Sequence, residues 1–126
     1  MTASTIRLLP QGDEQSGLQP TQYVDRANLL EGDPTEQGHN FFTNARGNVM
    51  AGVWECTPCK ERIDSYPVDE MMTVLAGSVT VADADGNAQT FGPGDTFVIG
   101  KGFRGTWHIT ETLRKFYMIV EPEGGA

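Results

Sequence analysis

Apolar residues in this chain fall into short runs, and no window of a dozen residues repeats them at the spacing of a helix face. From His39 onward the runs are rich in Val, Ile, Thr, Phe, Tyr and Trp, and glycine-bearing breaks interrupt them roughly every eight to twelve residues. This rhythm predicts strands near 40–44, 48–56, 60–65, 69–75, 78–83, 88–91, 96–99, 104–110 and 113–120. The breaks carry turn chemistry: Asp85-Gly86 suits a tight hairpin, Gly47 a second turn, and Pro93 between Gly92 and Gly94 a third. Many short antiparallel strands at even spacing predict an all-β sandwich or barrel.

The first 36 residues have a different texture. Small apolar islands at 6–9, 23–24 and 29–30 stand among turn residues and are too few to form a core. They predict an N-terminal arm over 1–36 that packs on its own or a partner's barrel, with the barrel over 37–122 and a short tail over 123–126. There is no repeat, low-complexity tract or dividing linker. At 126 residues the chain fits one domain, able to bury roughly two-thirds of the surface that its unfolded form exposes.

Charge narrows the partners. Nine Lys and Arg against seventeen Asp and Glu give a formal net charge of −8, which repels phosphate backbones and anionic lipid surfaces, so neither nucleic acid nor membrane is expected. No window approaches the roughly 18 apolar residues of a membrane helix. The N-terminal stretch lacks the apolar core of a secretion signal, and the expected location is cytoplasmic. There the two cysteines, Cys56 and Cys59, are thiols. Their CxxC spacing fits zinc or redox chemistry. However, a structural zinc needs four ligands, and a redox pair normally opens a helix, whereas this pair closes a β-run. The expected role is a core-facing thiol at Cys56 and a turn position at Cys59.

The chemistry-bearing stretch is "RIDSYPVDEMMTVLAGSVTV" at 62–81, followed by "GDTFVIGKGFRGTWHIT" at 94–110. These blocks resemble the paired motifs of the cupin superfamily. Aligned without gaps, Asp64 and Tyr66 fall on the two histidines of the first motif, Glu70 on its glutamate and Gly77 on its closing glycine. In the second motif Gly94 and Gly102 match, while Gly100 replaces proline, Gly105 replaces histidine and Ile109 replaces asparagine. A closer resemblance is to the cupin branch of the ureidoglycine aminohydrolase domain and the ethanolamine-utilisation Q protein. It is carried by Gly52, Trp54, Asp69, Glu70, Leu75, Gly77, Gly94, Asp95, 97–99, Gly102, Phe103, Trp107, Arg114, Lys115 and Tyr117.

The resemblance implies a double-stranded β-helix, the cupin jelly-roll barrel, with functional residues pointing inward. Strand parity offers an independent check, because alternate side chains share a face. Provided that the chain stays extended past Pro67, Arg62, Asp64, Tyr66 and Glu70 project together. Trp107 and Ile109 face the interior, which turns His108 outward with Thr106 and Thr110, and His39 has no evident partner.

The expected site is therefore a small-molecule pocket. Asp64, Tyr66 and Glu70 are the candidate catalytic groups, and Trp54, Arg62, Trp107 and Lys115 the candidate ligand-binding groups. Both tryptophans could equally fill the core, and Lys115 could equally snorkel to solvent. The ligand expected is a small polar nitrogenous or carboxylate metabolite, subject to weak acid–base chemistry. No cofactor is expected, because the imidazoles of a typical cupin metal site are missing. The alternatives are a hydrolase or isomerase assisted by a divalent metal at Asp64, Tyr66 and Glu70, or a non-catalytic sensing or accessory module. Family habit, together with the arm's scattered apolar residues, implies a homodimer in which the arm reaches a neighbour.

Overall fold

The computed structural model describes residues 5–122, so the tail at 123–126 lies outside the described residues. Nine strands and one 3-10 turn fill this span. They are β1 (Gln19–Pro20), the turn Arg26–Asn28, β2 (Leu29–Glu31), β3 (Glu36–Thr43), β4 (Val49–Cys56), β5 (Cys59–Ile63), β6 (Asp69–Asp83), β7 (Ala88–Phe91), β8 (Thr96–Ile99) and β9 (Gly105–Val120). Among the described residues no helix is long and apolar enough to cross a membrane. The class is all-β, and the architecture is the jelly-roll barrel.

Two long strands make that barrel. The C-terminal half of β9 pairs with β4 on one side and the first half of β6 on the other; its N-terminal half pairs with β5 and the second half of β6. β8 and β7 extend the two halves of β6, β3 and β1 extend β4, and β2 extends β5. Two sheets thus share two bent strands, and their inner faces oppose each other. The sequence pattern divides each long strand in two, whereas the structure carries each through. The reason lies at Gly77, whose φ is +83° and where a Cβ would stand 2.0 Å from the Thr112 carbonyl oxygen. The missing side chain lets β6 and β9 touch where they bend. The glycine therefore marks a run of register shifts between Val74 and Val79 in place of a turn.

Between the sheets the core is nearly water-free at Cys56, Met72, Val74, Val79, Ile109 and Leu113. Cys56 and Cys59 bracket the turn from β4 to β5 as buried free thiols. A hydrogen bond with the Cys59 thiol, added to by burial, pushes the Cys56 thiol up, away from the reactive thiolate. Among the described residues no three His, Cys, Asp or Glu side chains cluster as a metal site.

The arm packs along its own barrel. β1 adds to β3 and β2 to β5, and the Pro10 carbonyl accepts from Arg114 Nη1 at 2.9 Å on the outer face of β9. Its anchor is Glu36, the first residue of β3 and buried. Glu36 accepts from Thr21 Oγ1 at 2.7 Å, from the Tyr23 and Val24 amides at 2.8 Å each, and from Trp54 Nε1 at 3.1 Å. Burial alone would raise the Glu36 pKa, but these bonds to its ionised form outweigh burial and hold it below the ordinary 4.5. The stability it contributes is therefore fully present above the ordinary value and is lost as pH falls through the lowered one. Glu36→Gln is expected to cost roughly 1–3 kcal/mol at neutral pH. Urea melts at a series of pH values check this: the gap between variant and wild type should close in acid.

Candidate functional site

The arm, the turn after β5 and the inner face of β9 enclose a cavity of about 580 Å³. Its floor follows from strand alternation. On β6 the inward residues are Glu70, Met72 and Val74; on β9 they are Leu113, Lys115 and Tyr117; on β4 Trp54 faces the same way, directly paired with Lys115. Two charges are thereby carried into the barrel, with Glu70 and Lys115 each only 5% exposed.

They neutralise each other. Lys115 Nζ stands 2.7 Å from Glu70 Oε2 and 2.9 Å from Met72 Sδ. The Trp54 and Trp107 rings each have a centroid 5.0 Å from the same nitrogen, so the ammonium lies between two aromatic faces. The other oxygen, Glu70 Oε1, accepts from the Tyr66 hydroxyl at 2.5 Å. Burial first, then the Glu70 charge and hydrogen bond, push the Tyr66 phenol well above its usual range, so it is a fixed donor at neutral pH. Tyr117 is likewise raised, chiefly by burial, and its hydroxyl donates to Asn40 Oδ1 at 3.1 Å.

Tyr66 reaches this floor from a turn. Its amide donates to the Phe103 carbonyl at 2.9 Å, its carbonyl accepts from the Gly102 amide at 2.8 Å, and the Lys101 amide donates to Asp69 Oδ1 at 2.8 Å. The Gly-Phe motif at 102–103 is thus the clamp that aims the tyrosine. At Gly105, aligned with a cupin histidine, a Cβ would lie 1.9 Å from the Ala82 carbonyl oxygen, so the backbone leaves no room for a side chain.

The predicted residues divide into two groups. Tyr66, Glu70, Trp54, Trp107 and Lys115 meet at the floor. Arg62 and Asp64 do not join them: they lie at the rim with side chains 52% and 66% exposed, paired with each other at 2.9 Å and both bonded to Asn28. The expected projection of 62, 64, 66 and 70 on one face is therefore corrected. β5 ends at Ile63, and its inward residues are the odd ones, Cys59, Glu61 and Ile63, opposite Ile109, Trp107 and Gly105. The phase changes in the turn over 64–68. His108 stands on the face opposite Trp107, outside the cavity lining, and His39 packs edge-on against Phe41.

Asp64 does not converge with Tyr66 and Glu70 as the ligands of a divalent ion would. Both Glu70 oxygens are taken by Lys115 and Tyr66, and Asp64 turns away to Arg62. Sequence reasoning also missed lining residues: Tyr23, Asp25 and Asn28 from the arm, and Glu61 on β5. The alternation of Cys59, Glu61 and Ile63 carried the signal for Glu61; nothing local marked the arm residues.

Removing one charge of the floor pair leaves the other buried without a counter-charge. Glu70→Gln and Lys115→Met are each expected to lower stability by about 3–5 kcal/mol, and the double variant to recover much of that loss. Denaturant unfolding of the four proteins in the cycle measures the coupling.

Comparison with known proteins agrees with this architecture. The profile of the EutQ-like cupin domain matches residues 43–117. A DUF861 protein of unknown function from Pseudomonas syringae pv. tomato superposes with a TM-score of 0.78 at 26% identity, over 86% of this chain but 46% of its own. This chain therefore spans about half the length of that relative. The EutQ protein of Clostridium difficile superposes with a TM-score of 0.61 at 17% identity, over 82% of this chain and 83% of its own. The polyketide cyclase RemF of Streptomyces resistomycificus does so with 0.60 at 15%, over 86% and 77%. At these last identities the likeness is one of fold. No curated protein matches the chain. The profile match, which spans more than half of a chain folded as a jelly roll, establishes that the chain belongs to the EutQ-like cupin domain family.

Proposed function

We propose that this cupin binds a small polar metabolite in the cavity and performs weak acid–base chemistry on it through Tyr66, Glu70 and Lys115. The observation that carries this reading is the hydrogen-bonded series from Tyr66 Oη through Glu70 to Lys115 Nζ, set under a 580 Å³ cavity with apolar walls. Tyr66 gives its single proton to Glu70, so its oxygen lone pairs remain for an N–H or O–H of the ligand. A proton can pass from that group to Tyr66 Oη as the tyrosine's own proton moves to Glu70 Oε1. Lys115 has two named acceptors for three N–H bonds, which leaves one for a ligand oxygen that becomes negative. Trp54 and Trp107 form walls, and Arg62 and Asp64 border the entrance.

One observation favours a second reading, sensing without turnover: Glu70 is already bonded at both oxygens, and breaking that arrangement has a cost. Tyr66→Phe separates the two. In a thermal-shift screen of metabolites, a ligand that stabilises the wild type should be turned over only by the wild type if the relay operates. Binding that survives in Tyr66→Phe with no turnover by either protein selects sensing. Hits that are insensitive to both Tyr66→Phe and the cavity-filling Ile63→Phe would place binding outside the cavity.

The homodimer is proposed on a different surface from the arm, which is engaged with its own barrel. On the outer face of the β8, β6 and β9 sheet, Met71 pairs in register with Val98 and Met118, and Val120 follows along β9. These four side chains are 39–65% exposed, an apolar row on a chain that otherwise repels its copies with a net charge of −8. A second copy laid over this flat face buries the row on both subunits. Sedimentation at micromolar concentration is expected to give a dimer for the wild type and a monomer for Met71→Lys/Val98→Lys.

A further inference from the structure

Glu61 enters the cavity without a cation of its own. It stands on the inward face of β5 between Cys59 and Ile63, and its register partner on β9 is Trp107. Cross-strand partners carry their side chains on one face, roughly 5 Å apart at Cβ, so a carboxylate and an indole project side by side into the cavity. Glu61 Oε2 accepts from the Asp25 amide at 3.2 Å, and among the described residues no Lys or Arg forms an ion pair with either oxygen. Burial first, then the negative charges of Asp25 and Glu36, push its carboxyl above the ordinary range. A half-buried carboxylate among like charges is an unfavourable arrangement that a counter-ion would relieve.

The other charges of the lining decide what that counter-ion is. Arg62 is held by Asp64 and Asn28, and Lys115 by Glu70. Each of these cations is already neutralised by a carboxylate of the chain, with one Lys115 N–H left over, while Asp25, Glu61 and Glu121 add negative charge to the lining without an ion-pair partner among the described residues. A ligand carboxylate would meet Glu61 and Glu70 with no unpaired cation to receive it. A ligand ammonium would meet the uncompensated Glu61 carboxylate, the stronger of the two attractions in a partly dry site, beside the indole of Trp107, whose ring already carries the Lys115 ammonium. Ile63 and Tyr66 beside them offer apolar surface for the rest of the molecule.

We propose that the cavity takes an organic cation, a protonated amine on an apolar body, with Glu61 as its head-group site beside the indole of Trp107. This rests on the cavity being the ligand site and names the class of ligand it selects. Both tryptophans of the chain line the cavity, so fluorescence excited at the indole band reports its occupancy directly.

The test titrates three near-isosteres, 2-phenylethylamine, 2-phenylethanol and phenylacetate, at neutral pH into the wild type and Glu61→Gln. The wild type is expected to bind the amine about tenfold or more tightly than the alcohol, with phenylacetate weakest, a factor typical of one charge-assisted bond. Glu61→Gln is expected to erase the amine's advantage while leaving the alcohol unchanged. Should that variant fail to fold, the wild-type order alone decides. Phenylacetate binding as well as the amine, or an amine preference untouched by Glu61→Gln, overturns the cation assignment and leaves the cavity reading standing. Absence of a response to all three at millimolar concentration overturns both.

Discussion

The interior of this barrel is organised around one buried ion pair. Taking a carboxylate and an ammonium out of water costs several kcal/mol for each, and their attraction recovers that only when geometry and further hydrogen bonds are good. The fold provides both. Lys115 reaches Glu70 at 2.7 Å and rests between the faces of Trp54 and Trp107, while Tyr66 satisfies the remaining carboxylate oxygen. These groups arise from β4, β6, β9 and the turn after β5, so the pair is supported only when the two sheets have closed on each other. Core packing and the polar floor are therefore parts of one arrangement.

Trp54 extends this arrangement to the arm. One face of its ring lies under the Lys115 ammonium, and its Nε1 donates to Glu36, which in turn binds the Tyr23 and Val24 amides. The arm is thereby fixed beside the site and supplies one wall of the cavity. A segment with too few apolar residues to fold alone gains its order from a carboxylate on the barrel.

The chain carries the positive charge of its cavity floor on a side chain. Gly105 has no space for an imidazole, Asp64 is turned to Arg62, and the cation at the centre of the floor is Lys115. A shared jelly roll does not by itself transmit an activity, because chemistry depends on the groups that the barrel presents. What the geometry provides is a largely apolar cavity with a polar floor and an excess of acidic over basic lining residues.

The sequence by itself determined the all-β class, the position of nearly every strand from β3 onward, and the inward course of Trp54, Glu70 and Trp107, while the burial of Lys115 was left to the structure. Alternation and turn residues are local signals, and they act whatever the rest of the chain does. Tertiary structure decided the rest. Gly77 is a bend and not a break because β6 meets Thr112 far along the chain. Parity was lost across 64–68, where bonds to Gly102 and Phe103 set the path, so Tyr66 came inward while Arg62 and Asp64 stayed at the rim. Glu61 and the arm residues became part of the cavity only through partners well apart in sequence, such as Glu36 for the Tyr23 amide, 13 positions away, and Glu61 for the Asp25 amide, 36 positions away. Those distances in sequence are what no local pattern encodes.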